Sequence, residues 1–383
     1  MKASLGQLLL LLFADVVSST SDPNPVEWTP NPLDAALQFE TSTLTIYHPS
    51  YGVRNVSYYV ADGNAIIDGD INFGPVDQLL AHSVDAQMLV DEELTSNIYQ
   101  KRALTHERGR FAWPGAKVSY MFDSGYTEGK LGSTVQEAFR RWKAKAPYFT
   151  FTKVPNDPRK KGVITFKSGE TGCWAFVGYQ GRQAEMTVNL QQSVSGMCGA
   201  DEATHEIGHA LGKFPTDALP YRISCFPGFW HEHQRADREK TVHFNCAALI
   251  PNCPGGQQLP PGRNCCGGPY QNGCCGLISN FNLMQGPGID NTGSYDIGST
   301  MQYRRDAFAL PGQATLVPAR AGIEVPSRNI GWPSGTDIAR LCKLYPRECR
   351  RRKKIVGEYD LEEIDDFYGV GFSKEELEEY LSS

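Results

Sequence analysis

HEIGHALGKFP, residues 205–215, reads as most of a zinc site. On a helix, residues four apart stack on one face, so His205 and His209 can point at a single ion. Glu206 lies one residue round, close enough to hold a water and take its proton without being a ligand. Gly212 follows three residues after His209 and would let the chain turn sharply out of the helix. Six residues after His209, where a third histidine would complete the set, stands Pro215. Either the third ligand lies elsewhere, or something separates it from the other two.

The rest of the chain supplies a frame. It has 383 residues with 40% apolar, 21% charged and a formal charge of −6, an ordinary folded composition with no electrostatic case for nucleic acid. Residues 1–20 combine Lys2, an apolar run from Leu8 to Phe13 and then small residues, the pattern of a secretory signal too short to span a bilayer. No later stretch is apolar for long enough to cross a membrane. The chain is therefore expected outside the cell, where its 11 cysteines, all at position 173 or later, meet an oxidising compartment. Residues 43–70 alternate polar and apolar positions between turn signals and predict short strands. Asn55-Val56-Ser57 is a glycosylation triplet. Lys101-Arg102 is a dibasic processing signal, with HERGR at 106–110 in competition. Residues 114–122, 162–168 and 186–190 predict strands, and 132–146 an amphipathic helix with Val135, Ala138, Phe139 and Trp142 on one face. Strands leading into the His205 helix argue for an α+β domain.

Two residues compete as third ligand. Glu232, 23 residues after His209, has spacing that suits a His, His, Glu site. The other is His231, in FWHEHQRADRE at 229–239. YDIGSTMQY at 295–303 decides for His231: a methionine in a tight turn downstream of an extended zinc motif marks metzincins, whose three ligands are all histidines.

HEIGHALG, FWHEHQRADRE and STMQY together resemble the astacin family of zinc endopeptidases, in which HExxHxxGFxHExxRxDR is continuous. Deleting residues 213–228 joins Gly212 to Phe229 and brings His231 to where Pro215 now stands. One expectation is that this segment is a translated intron, since codons for Gly-Lys-Phe and Phe-Pro-Gly can spell a donor and an acceptor site. Its removal would also take out Cys225 and leave an even ten cysteines. The alternative is a genuine loop insertion that still lets His231 swing in.

The resemblance covers about residues 60–349 and implies further roles. The fold would be an astacin-like two-lobed catalytic domain, 103–349, with a mixed twisted sheet, a zinc-site helix and a Met-turn at Met301. A propeptide, 21–102, would precede it. One Zn2+ per chain would sit on His205, His209 and His231, with Glu206 as general base and Tyr303 stabilising the oxyanion. Gln302 stands where many relatives have histidine, at a position that is not a ligand. Asp70, in IIDGDIN at 66–72, resembles the aspartate that caps the zinc in the zymogen, with Ile67 where phenylalanine is usual. Glu232 resembles the residue that anchors the N-terminus freed by an activating protease, making Ala103 the first mature residue. Cys173 and Cys198 match one family disulfide. Cys349 matches one end of a second whose usual partner, near Thr150, is absent, leaving Cys342 by exclusion. The segment GCWAFVGYQ, 172–180, would pair with extended polypeptide substrates in a cleft.

Six cysteines crowd into 246–286, so three local bridges are expected in a stapled loop beside the cleft. The tail, 350–383, opens with RRRKK and turns acidic, which predicts a solvated, disordered end. These readings converge on a secreted, monomeric zinc endopeptidase made as a zymogen. A different class of protein is also possible: a catalytically inactive extracellular binding protein on the same fold, if 213–228 displaces His231.

Overall fold

The structure, a computed structural model, describes residues 41–48, 52–84, 112–193, 196–212 and 230–355, apart from 254, 256, 268–272, 286–288 and 290–292. The signal segment, both processing sites, the inserted segment 213–228 with Cys225, and the tail beyond 355 lie outside the described residues.

The strands of the N-terminal region form a meander: β1 (Ser42–His48), β2 (Gly52–Ala61), β3 (Asn64–Ile67) and β4 (Ile71–Pro75), each antiparallel to the next. A short helix α1 (Val76–Ala81) follows. The second half of the sheet is β5 (Lys117–Phe122), β6 (Thr150–Lys153), β7 (Ile164–Lys167), β8 (Cys173–Phe176) and β9 (Met186–Leu190). All nine strands belong to one mixed sheet in the order β1-β2-β3-β4-β8-β9-β7-β5-β6. The join is a parallel pairing of β4 with β8, Ile71 opposite Ala175 and Asn72 opposite Phe176. Strands β8 and β9 are buried along their whole length, as central strands covered on both faces should be.

Helix α2 (Gly125–Lys145) and helix α3 (Ala200–Leu211) complete the main core with β5–β9. The apolar face predicted for 132–146 is present: Leu131, Val135, Ala138, Phe139 and Trp142 are all buried. The helix starts two turns earlier than its periodicity suggested. Gly125, Gly129 and Gly132 are poor helix formers and blur the pattern there, and the start is set instead by Ser124, whose hydroxyl accepts from Thr127 N at 3.1 Å. At the C-terminal end, α4 (Gly335–Leu344) opens on a capping box of Ser334 and Asp337. Helix α5 (Pro346–Ile355) runs on into the basic stretch that the sequence assigned to the tail.

Five disulfides pair all ten cysteines of the described residues. Cys173–Cys198 and Cys342–Cys349 are two of them. The crowded segment contains three bridges of its own, Cys246–Cys266, Cys253–Cys274 and Cys265–Cys275. Asn55 is exposed on β2 with its side chain accepting from Thr45 Oγ1, while Ser57 of the same triplet is buried.

Candidate metal centre and active site

Helix α3 carries HEIGH through the interior, with every residue from Ala203 to Leu211 buried. Its terminal carbonyls lack partners along the helix and are met from outside. Gly178 N donates to His209 O, Trp113 Nε1 to Ala210 O, and the Tyr345 hydroxyl to Leu211 O, at 2.8–3.0 Å. Gly212 leaves the helix with φ −67°, an ordinary value, so the sharp left-handed exit expected of it does not occur. Gly208, between the two histidines, has a different use. A Cβ there would lie 2.6 Å from Met301 Sδ and 3.2 Å from Trp142, so only glycine lets the methionine turn and α2 close on the helix.

His205 donates its Nδ1–H to the Thr300 carbonyl at 2.7 Å, which turns its Nε2 lone pair toward the centre. His231 reaches the same place from beyond the inserted segment. Its nitrogen Nε2 is 2.9 Å from Asp70 Oδ1, while those of His209 and His205 lie 3.6 and 3.5 Å from the two oxygens of the same carboxylate. One donor atom from each of Asp70, His205, His209 and His231 falls within 4.8 Å of the others, all four residues buried. The Nε2 atoms of His205 and His231 and both oxygens of Glu206 are buried without a hydrogen-bond partner. Buried polar atoms are rarely left so, and three imidazoles with one carboxylate are the donor set that zinc takes.

The electrostatics follow from burial. Desolvation opposes charge on Asp70, but the charge of His231 and the imidazole contacts of His205 and His209 outweigh it and hold the carboxyl well below its usual range. Glu206 has no such cations. Burial first, then the charges of Asp70 and Glu202, push its carboxyl well above the usual range. Burial lowers His209 to about 4.

Asp70 is delivered by the turn between β3 and β4. Gly69 adopts φ +94°, and a Cβ on it would sit 2.6 Å from the Tyr303 hydroxyl, so the close approach and the backbone conformation both call for glycine. Asp68 is held by Arg54 and by Trp230 Nε1. The Tyr303 hydroxyl donates to the Asp68 carbonyl at 2.6 Å and lies 3.2 Å from Asp70 Oδ2, so here it is engaged by the N-terminal region. The Ala175 N–H donates to the Asp70 carbonyl at 2.9 Å, which ties the same turn to the rim strand β8.

Glu232 is buried beside His231 and its carboxylate is already occupied. Arg340 of α4 contacts it through two nitrogens at 2.5 and 3.1 Å, and the Asp296 N–H donates to it at 2.7 Å. Its own N–H donates to the Met301 carbonyl, so this cluster links the third histidine to the methionine turn. Sequence reasoning missed Arg340, which sits in an ordinary amphipathic helix with no local mark. It also missed His233. That ring is fully buried, stacks on Tyr303 at 4.2 Å, and has Nε2 2.9 Å from the Asn280 carbonyl. Its place in HEH was a signal that went unused.

A HExxH helix above a buried methionine turn, in this α+β setting, is a metzincin-type fold. Over residues 105–222 the chain is an astacin-family domain, matching the peptidase family described as Astacin. The match stops inside the segment that interrupts the zinc motif. The chain is similar to the Bone morphogenetic protein 1 homolog of Strongylocentrotus purpuratus, at 26% identity over 54% of this chain and 26% of that protein. It is also similar to Nematocyst expressed protein 6 of Nematostella vectensis, at 25% identity over 73% of this chain and 82% of that one. High choriolytic enzyme 1 of Oryzias latipes matches at 27% identity, over 61% of this chain and 66% of the enzyme. The matched stretch is thus about a quarter of the sea-urchin protein and most of the other two. Among the described residues no helix is long and apolar enough to cross a membrane.

Proposed function

We propose that this chain is the precursor of an exported zinc endopeptidase that stays silent until residues 21–102 are removed. The observation that carries the reading is the convergence of Asp70 on His205, His209 and His231 beside the unpartnered carboxylate of Glu206. The three histidines would hold one zinc per chain, and Asp70 would take the fourth position in the precursor. When bound, zinc supplies Lewis acidity toward water and the peptide carbonyl.

The remaining steps belong to this chain's own side chains. Glu206 takes the proton of the attacking water and passes it to the leaving amide nitrogen. Removal of the Asp68–Asp70 turn frees the Tyr303 hydroxyl to donate to the developing oxyanion. It also frees β8, whose backbone now holds β4, to pair with an extended polypeptide in its place. Met301 forms the floor beneath the zinc helix. Glu232 would receive the ammonium of Ala103 on a carboxylate that it shares with Arg340. Export through the signal 1–20 fits five disulfides in one chain. Cleavage after Lys101-Arg102 by an activating protease would start the process, and the working unit is a monomer. No observation favours the non-catalytic alternative, which required His231 to be displaced from Asp70 and the other histidines.

The test is hydrolysis of an unfolded protein substrate by the chain freed of residues 21–102. Cleavage that a chelator stops, and that Glu206→Gln lowers by at least about 100-fold without loss of zinc, is the expected result. A zinc-loaded chain free of its prosegment that leaves the substrate intact would overturn the reading.

A further inference from the structure

The six-cysteine segment does not stand free beside the cleft. Residues Gly276–Phe281 lie against β2, and their closeness depends on a glycine: a Cβ on Gly276 would fall 2.6 Å from Thr43 Oγ1 and 3.7 Å from Ser57 Oγ. The Ser57 N–H donates to Ser279 Oγ at 2.7 Å in the buried interface, and Asn252 Nδ2 to Thr41 Oγ1 at 3.3 Å. Tyr59 and Ile66 of the N-terminal meander share one apolar cluster with Cys265, Cys275, Leu277 and Phe281. On the far side of the meander, Ile46, Val56, Ile67, Ile71 and Leu79 share another with Val177 and Met284. Residues 41–84 are thus gripped three ways: by the β4–β8 pairing, by the Asp70 contacts, and by a platform that three disulfides hold in shape. None of the grip is covalent, because no cysteine precedes residue 173.

We propose that the disulfide-stapled segment 246–285 is a docking platform for the prosegment, and that the platform keeps residues 41–84 bound after the chain has been cut at Arg102. A short tether laid over the metal would leave on cleavage. A four-stranded meander whose apolar residues complete two clusters of the protease does not, because leaving would expose both halves of each cluster to water. Activation is then a two-step event. The first cut yields a nicked, silent complex, and the enzyme appears only when the meander is lost. The stapled segment is in this way an interaction surface for the chain's own prosegment, which acts as a separate inhibitory partner.

The inference rests on the reading of 21–102 as a prosegment, and its test does not depend on activity. A recognition site for a sequence-specific protease is placed after Arg102 in the full chain. The purified precursor is cut, passed over a sizing column, and each fraction is run on a denaturing gel and analysed for zinc. The expected result is co-elution of the prosegment fragment with the protease after the cut. Gly276→Val, which overfills the Thr43 contact, and Ile66→Ala, which leaves the mature chain unaltered, each weaken retention roughly tenfold. Loss of the fragment from the wild-type complex at the first cut overturns the proposal, as does equal retention by all three proteins. If the variants release the fragment and keep zinc but cleave nothing, the platform stands and the peptidase reading fails.

Discussion

The contact between Arg340 and Glu232 offers a quantitative test of how the third histidine is held. The Arg340 side chain is 14% exposed and that of Glu232 2%, with nitrogen–oxygen distances of 2.5 and 3.1 Å. Burial alone would disfavour the arginine's charge, but Glu232 more than restores it and raises the guanidinium above its ordinary range. Arg340→Met leaves a buried carboxylate facing a thioether. Breaking a buried pair from one side costs about 3–5 kcal/mol. Arg235 remains 3.4 Å away and the Asp296 N–H stays on the carboxylate, so the lower end, about 3 kcal/mol, is the expected loss. For a domain of this size that is a fall in Tm of about 6–12 °C in the precursor. Because Glu232 adjoins His231 and its N–H sits on Met301 O, zinc affinity should fall about tenfold as well. Thermal unfolding and a competitive zinc titration read the two effects. The double variant Glu232→Gln with Arg340→Met should recover part of both, since no uncompensated charge is left. An Arg340→Met precursor with a Tm within about 1 °C of wild type and unchanged zinc affinity would refute the argument.

Three further outcomes are expected. Asp70→Ala removes one charge-assisted contact with the histidines, worth about 1.5–3 kcal/mol, so the uncut precursor should gain roughly 10–100-fold in peptide hydrolysis; an uncut variant as silent as wild type counts against Asp70 as the latch. Gly208→Ala drives a methyl group into Met301 Sδ and should cost about 1–3 kcal/mol by chemical denaturation, whereas Gly129→Ala, with nothing near its Cβ, should be neutral or stabilising. In the metal-free precursor, burial lowers His209 from 6.5 to about 4. The unfolded chain takes up that proton first as pH falls, so the stability it contributes is complete above pH 6.5 and lost between 6.5 and about 4. That loss is on the order of 3 kcal/mol, and His209→Gln should flatten the slope over the same window.

Much of the centre was legible because it is written in local spacing. Two histidines four apart predict one helical face, and a glycine between two aspartates predicts the tight turn that presents Asp70. His231 could be placed with them only by looking past residues 213–228, and the methionine turn downstream was the cue. What could not be read is long-range. Nothing in Ile71–Pro75 or Cys173–Phe176 announces that the two strands pair in parallel, because each is a short apolar run that would satisfy many partners. The same holds for the stapled segment. Its even cysteine count predicted local bridges, but 15 pairings were possible. Its role against the prosegment depends on a glycine, Gly276, whose neighbours Thr43 and Ser57 lie more than 200 residues earlier. Buried partners such as Arg340 and His233 carry no periodicity of their own and become visible only with the packing around them.

The central claim, that three histidines brought together across an interrupted motif form one metal centre, is most directly tested by metal content. Elemental analysis of the purified precursor should show one zinc per chain, and His231→Ala should bind it at least about tenfold more weakly while Cys173–Cys198 still forms. A precursor with no zinc, or one whose zinc is indifferent to His231→Ala, would contradict the account.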